Sequence, residues 1–307
     1  MENRIYHDVV IIGAGPSGIK ASLLLKEAGV DFIIIDGSTP GGKVNIAPRV
    51  DNYPDYSKIS GPDLAMNLFM RLMDKGIDLI GEQVSSLKKD GDLFLIDTDY
   101  SSYSAKAVYI ATGTQEKELG LPNEKEMFGH GLSYCALCDG HFFKGQEVAV
   151  IGGGNAALTE AAYLATICKK VYIIHRRKEW RGIKKKQDDL FAFDNVVALT
   201  PYVTKSINGK DHVESLTLVN QENGEEKELK ISAVFPLVGQ NPNTNFINIE
   251  GVIDNYRFIP VDKNNESPAC PGLFAGGDVL PRVIKQIYLA ERDAQIATNG
   301  ILEYLKK

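Results

Sequence analysis

Cys135-Ala-Leu-Cys138-Asp139 is the stretch whose residue types and spacing can do chemistry without help from elsewhere in the chain. Two thiols separated by two residues can close a small disulfide ring. Such a setting often lowers one thiol's pKa well below the free value of about 8.5 and so supplies thiolate for exchange at neutral pH. Asp139 follows directly and can supply or remove the proton that disulfide cleavage and thiol exchange require. Zinc is the competing chemistry, but it prefers four ligands, and no second cysteine pair of suitable spacing exists. His130 and His141 leave a mixed site open, as purely structural cysteines remain open, although packing or surface roles suit both histidines better. Cys168 and Cys270 read as ordinary buried thiols, and no bound metal is expected.

Two glycine turns supply a second kind of chemistry. In Gly13-x-Gly15-Pro16-Ser17-Gly18, one glycine permits the tight turn, one lets backbone approach a pyrophosphate, and one lets the helix pack close to the strand. The diphosphate then rests on the positive helix N-terminus. Asp36 ends the following strand, where a carboxylate can accept bonds from ribose hydroxyls. An extreme N-terminal position suits FAD, because a long dinucleotide needs the rest of the chain to cover its flavin. Gly152-x-Gly154-Asn155-Ala156-Ala157 repeats the geometry with alanine at the packing position. Its second strand ends not in an acid but in His175-Arg176-Arg177, with Arg181 one helical turn further on. Cations there suit the 2'-phosphate of NADPH and so favour NADPH over NADH. The rival reading makes Arg176, Arg177, Lys178 and Arg181 a solvated basic helix start, with Trp180 packing among them.

The elements that must hold these groups follow one repeated grammar: apolar strand, glycine turn, helix, second apolar strand. The first copy runs from Asp8 through a helix to Ala28 and the strand Phe32 to Ile35; the second runs from Val148 through a helix to about Ile167 and the strand Val171 to Ile174. The two turns, at Gly13 and Gly152, lie 139 residues apart. Between them, Phe94 to Ile96 and Val108 to Ile110 read as strands, with a turn at Gly91-Asp92, and Ala111-Thr112-Gly113 closes the first domain. Further on, Val213 to Val219 and Leu229 to Leu237 flank a charged turn as in a hairpin. The run Pro271 to Asp278 reads as a strand leading into a helix start, and Val283 to Tyr304 as an amphipathic helix packing on the first unit. The expected fold is α/β with two dinucleotide-binding, Rossmann-like domains. Residues 1–113 and 247–307 form a discontinuous FAD-binding domain, and residues 114–246 an inserted NADPH-binding domain that carries the dithiol.

Composition narrows the class. A chain of 307 residues suggests about two domains. With 44% hydrophobic and 24% charged residues it reads as globular, and no segment approaches the ~18 apolar residues of a membrane span. A net charge of −6 argues against a broad nucleic-acid face, although a local cluster such as Lys184, Lys185 and Lys186 can still recognise anions. Four cysteines are too few for a disulfide scaffold. Met1-Glu2-Asn3-Arg4 leads straight to the apolar Val9 to Ile12, without the features of a signal peptide, so a cytoplasmic setting is expected.

Taken in order, Gly13-Ala-Gly-Pro-Ser-Gly18, Gly41-Gly42-Lys43, Asp51-Asn52-Tyr-Pro, Ala-Thr112-Gly113, Cys135-Ala-Leu-Cys138-Asp139-Gly, Gly152-Gly-Gly-Asn155, His175-Arg-Arg-x-x-x-Arg181 and Phe-Ala-Gly-Gly277-Asp278 resemble bacterial low-molecular-weight thioredoxin reductase over nearly the whole chain. The most specific feature is the dithiol just ahead of the inserted domain's glycine turn. The resemblance implies that Cys135 and Cys138 are the redox pair and Asp139 the acid, with Cys138 toward the flavin and Cys135 exchanging with thioredoxin. It implies that Gly13 to Gly18, Asp36, Gly41, Gly42, Lys43, Asn52, Thr112, Gly113, Gly277, Asp278 and Gln286 bind FAD. Gly152 to Ala157, His175 and the three arginines would bind NADPH. It also implies a homodimer and a large rotation of the inserted domain, since dithiol and nicotinamide share one domain yet both must reach the flavin. Three positions depart from the family pattern: Lys43 stands where glutamine is common, Arg292 where a small glycine is usual, and Leu137 is bulkier than the usual threonine or valine. The rival readings are a flavin reductase fed by ferredoxin, a ferredoxin or flavodoxin NADP reductase, which needs no dithiol, and a non-catalytic flavin redox sensor.

Overall fold

The apolar run ahead of the first glycine turn becomes β1 (Ile5–Ile12), followed by α1 (Pro16–Glu27) and β2 (Phe32–Ile35), with β1 and β2 parallel. The computed structural model describes residues 4–54, 56 and 58–306, so the reading of the Met1-Glu2-Asn3 start lies outside the described residues. Next come α2 (Gly61–Asp74), β3 (Leu79–Ile80), β4 (Val84–Asp90), β5 (Leu93–Thr98) and β6 (Ser102–Ile110), giving the sheet order β3-β2-β1-β6-β5-β4. Successive strand residues point to opposite faces. Thus Val9, Ile11, Ala107 and Tyr109 enter one core, while Val10, Ile12, Val108 and Ile110 enter the other. Both faces are covered, which is why these strands read as continuous apolar runs. Ser60 caps α2 by accepting the Asp63 N–H at 3.1 Å.

After β7 (Thr114–Glu116) and the short helices α3 (Glu124–Met127) and α4 (Ala136–Asp139), the grammar repeats with β8 (Glu147–Ile151), α5 (Asn155–Ala165) and β9 (Lys170–Ile174). Then follow α6 (Lys184–Phe191), β10 (Val196–Leu199), β11 (Tyr202–Asn208), β12 (Ser215–Asn220), β13 (Glu226–Lys230), β14 (Ala233–Pro236) and β15 (Gln240–Pro242). An all-parallel sheet in the order β10-β9-β8-β14 sits beside an antiparallel β11-β12-β13 sheet. The expected strand Leu229 to Leu237 is in fact two strands. Its first part pairs with β12 as the hairpin predicts, and the chain then turns at Ile231-Ser232 so that β14 joins β8. One apolar run served two sheets, and periodicity alone does not mark the break.

The chain closes with β16 (Leu273–Ala275), parallel to the end of β6, and α7 (Ile287–Tyr304). The expected helix from Val283 begins four residues later, because residues 283–286 are not helical and Gln286 is the extended N-cap. The helix start expected at Gly277-Asp278 is only a three-residue 3-10 turn, Gly277–Val279. Ala290, Asp293, Ala294, Ala297 and Ile301 form the buried stripe of α7, which packs on α1. Two compact units result: one combines the chain up to Gln115 with the stretch from Asn241 onward, and the other is Glu116–Gln240. Among the described residues no helix is long and apolar enough to cross a membrane.

Candidate functional site

The glycines of the first turn divide their work as the chemistry demands. Gly13 has φ +105°, and a Cβ there would lie 2.5 Å from the Ala111 carbonyl oxygen. A Cβ on Gly18 would lie 1.8 Å from the Gly13 oxygen, so α1 can approach β1 only without one. Gly15, by contrast, faces open space, and the start of α1 has Pro16 in its first turn and no side-chain cap. An uncapped N-terminus behind an open glycine fits a dinucleotide diphosphate. Gly42 lies over Gly15, and Gly41 donates its N–H to the Ala14 oxygen at 2.7 Å. Asp36, just past β2, accepts the Ala14 N–H at 2.6 Å and the Ser38 N–H and hydroxyl at 2.8 and 2.6 Å. It therefore braces the glycine turn.

Other residues expected near the flavin gather in the same unit. Lys43 Nζ donates to Thr114 Oγ1 at 2.8 Å and stands 3.5 Å from Asp278 Oδ2. Asn52 donates to Gln286 Oε1 at 2.7 Å, and Thr112 donates to the Asn243 oxygen at 2.8 Å, beside Gly113 with φ +65°. Ser17 is buried instead of lining an open face: its hydroxyl pairs with Tyr109 at 2.6 Å and donates to the Ala290 oxygen at 2.9 Å. Asp293, not among the residues expected at the site, is a buried carboxylate that accepts the Gly277 N–H at 2.9 Å and meets Arg282 at 2.7 Å. Its signal lay in the helical spacing of α7. Arg292 is exposed, and it is the next residue, Asp293, that points inward.

In the second unit, a Cβ on Gly152 would lie 2.4 Å from the Leu237 oxygen, whereas Gly154 again faces open space before an uncapped α5. Arg176 to Gly182 form a bent loop ahead of α6, which corrects the expected helical turn at Arg181. This loop is tied to the glycine turn: Arg181 and Gly182 each donate an N–H to the Gly153 oxygen at 2.9 Å, and Ile183 donates to Asn155 Oδ1 at 2.9 Å. Arg176, Arg177 and Arg181 are exposed beside the open turn, which fits a 2'-phosphate. His175 is buried against Gly153 and stacks on Trp180 at 5.2 Å. Burial and then the neighbouring arginines hold its pKa below the usual histidine value, and its Nε2 has no hydrogen-bond partner. Lys184 to Lys186 belong to α6.

Cys135 and Cys138 are joined as a disulfide, with Cα atoms 5.3 Å apart, across the start of α4. The Cys138 N–H donates to Cys135 Sγ at 3.1 Å. Ser133 holds both ends of the turn, donating to Asp139 Oδ2 at 2.5 Å and accepting the Cys135 N–H at 3.1 Å. Beneath lies Glu160 of α5, whose carboxylate accepts the Ala136 N–H at 2.6 Å. Burial pushes its pKa up to about 7, although the Ala136 and Leu137 N–H groups pull it down. Neither Glu160 nor Ser133 was identified from sequence. His141 lies against the Phe142 ring, and Cys168 and Cys270 are buried free thiols. Burial raises the pKa of both thiols, which keeps them protonated. Among the described residues no group of three or more His, Cys, Asp or Glu side chains is placed to hold a metal ion.

Two dinucleotide-binding units, one of them carrying a Cys-x-x-Cys disulfide, define a class of flavin and nicotinamide disulfide oxidoreductases. The family model for pyridine nucleotide-disulphide oxidoreductases matches residues 7–294. A thioredoxin reductase of Mycoplasma pneumoniae is 36% identical over 99% of this chain and 97% of its own length, and one of Bacillus subtilis is 35% identical over 100% and 96%. A crystal structure of thioredoxin reductase from Streptococcus pyogenes superposes with TM-score 0.90 at 37% identity, covering 99% of both chains. The chain belongs to the pyridine nucleotide-disulphide oxidoreductase family. It is an oxidoreductase, and its cofactors are FAD and NADPH.

Proposed function

We propose that this enzyme reduces the disulfide of thioredoxin with electrons from NADPH, by way of FAD and the Cys135–Cys138 pair. The observation that carries the reading is the position of that disulfide, on a four-residue helix within the nicotinamide unit, in a chain alike over its full length to thioredoxin reductases. When bound, NADPH supplies hydride and FAD relays the electron pair. The chain's own residues do the rest. The first glycine turn, Asp36, Lys43, Asn52, Thr112, Gly113, Gly277, Asp278 and Gln286 hold the flavin dinucleotide in the discontinuous unit. The second turn and Arg176, Arg177 and Arg181 hold NADPH, with His175 packed beneath Gly153.

The Cys135–Cys138 bond takes up two electrons and two protons, and Asp139 delivers a proton to the leaving sulfur. Cys135, as thiolate, then attacks one sulfur of the thioredoxin disulfide to form a mixed disulfide. Cys138 attacks Cys135 in turn, releasing thioredoxin as a dithiol and restoring the starting bond. A cytoplasmic setting, in which such thiols stay reduced, suits that exchange. We further propose a homodimer, which sedimentation of the loaded protein checks.

The test is to mix yellow, anaerobic protein with NADPH, follow flavin bleaching, and then add thioredoxin with a disulfide reporter. Fast bleaching followed by thioredoxin-dependent turnover, lost in Cys138→Ser, is the expected result. Flavin that stays oxidised under NADPH but bleaches with reduced ferredoxin would overturn the choice of donor.

A further inference from the structure

Glu160 is 8% exposed, on a helix whose other core residues include Ala157, Leu158, Ala161 and Leu164. A carboxylate in such a place is costly unless it is hydrogen-bonded. Its partners are the first two N–H groups of the dithiol turn: Ala136 donates at 2.6 Å, and Leu137 donates to the same carboxylate. The next N–H, that of Cys138, goes to Cys135 Sγ at 3.1 Å. N–H groups at the start of a helical turn carry the partial positive charge that stabilises a thiolate there. Glu160 therefore takes two of the three donors and sets a potential negative charge against the backbone of the dithiol turn. Nothing in the exchange steps above uses this residue.

We infer that Glu160 is a positioning residue for the redox pair: it anchors the Ala136–Leu137 backbone and disfavours a thiolate at Cys135, so that the Cys135–Cys138 pair is a stronger reductant than the same turn without the carboxylate. The inference rests on the reductase reading above. Reduction converts the S–S bond, two electrons and two protons into two thiols, and loss of the Cys135 proton gives the thiolate. Withdrawing stabilisation from that thiolate shifts the balance toward the disulfide. The direction suits transfer of electrons to the disulfide of thioredoxin, itself a strongly reducing dithiol. Glu116 faces Glu160 closely enough that its charge opposes ionisation, and Asp139, on α4 packed against α5, is bonded to Ser133. On α6, packed against α5, Lys186 is bonded to Thr159.

Holoprotein is equilibrated anaerobically at pH 8 in oxidised and reduced dithiothreitol, then quenched by alkylation, and the modified cysteines are counted by mass. In Glu160→Gln, which keeps shape and an acceptor oxygen but loses the charge, the equilibrium moves about tenfold toward the dithiol, or ~30 mV. Alkylation of reduced Cys135 then begins at lower pH than in the wild type. Glu160→Asp, which keeps the charge, stays near the wild-type potential. A wild-type potential and alkylation profile in folded Glu160→Gln would overturn the inference, as would equal shifts in both variants. If Glu160→Gln does not fold, a tenfold shift in Glu160→Asp overturns it and a wild-type potential supports it. No step needs NADPH or thioredoxin, so failure here leaves the reductase reading standing, and failure of NADPH to bleach the flavin leaves this measurement intact.

Discussion

Asp139 and Glu160 are carboxylates beside one disulfide, and their surroundings give them different work. Asp139 is half-buried and held by the Ser133 hydroxyl, which suits the proton transfer proposed for it. Replacing it with asparagine should lower thioredoxin-linked turnover about 100-fold while flavin content, read from visible absorbance, is unchanged. Glu160 is buried, and burial raises its pKa from 4.5 to about 7. The folded chain thus favours the protonated form. Stability from this group is complete below about pH 4.5 and is lost as pH rises through about 7, by up to about 3 kcal/mol. Thermal unfolding between pH 5 and pH 8 should show a fall in the wild type that Glu160→Gln lacks. Equal slopes in the two proteins would contradict that sign.

The two strand–turn–helix units separate glycines that pack against backbone from glycines that face open space. At Gly18 an added methyl would meet backbone at 1.8 Å, so Gly18→Ala should push α1 away from β1, cost roughly 1–3 kcal/mol and lower flavin content. At Gly154 an added methyl meets nothing within 4 Å, and the backbone there is extended. Gly154→Ala should therefore leave the melting temperature unchanged yet raise the KM for NADPH about tenfold or more, by standing where backbone and diphosphate meet. The pair of variants separates a folding role from a binding role, and a matched loss of stability in both would refute the distinction.

The inserted unit is contiguous, while the other is assembled from two stretches of chain. Glu116–Gln240 has its own buried clusters, one around Val148, Leu158 and Phe235 and one around Ala149, Leu216 and Val234. Expressed alone, it should unfold cooperatively and bind NADP+ more tightly than NAD+, measured by circular dichroism and calorimetry. Residues 1–115 alone lack β16 and α7, which leaves part of β6 and the packing face of α1 uncovered. That fragment should not fold.

The glycine turns, the dithiol spacing and the cluster of arginines after β9 were legible from the chain because each is local. Turn geometry, ring closure and a charge at a strand end depend on residues a few positions apart. The repeat 139 residues apart made the two-unit fold legible too, since each copy carries its own strand and helix periods. What lay beyond reach joins residues far apart in sequence. The Ala136 N–H finds Glu160, Gly277 finds Asp293, and Gly153 finds Arg181. In each case a polar residue sits within an apolar helical stripe or a charged loop, where patterning reads it as exposed. Likewise Leu229 to Leu237 is one apolar run, and its division between two sheets is set by pairing with β12 on one side and β8 on the other, both distant in sequence from at least part of it. Hydrophobic pattern sets which faces are buried. Which buried polar group meets which backbone N–H depends on the packing of helices against sheets, and that exists only in the folded chain.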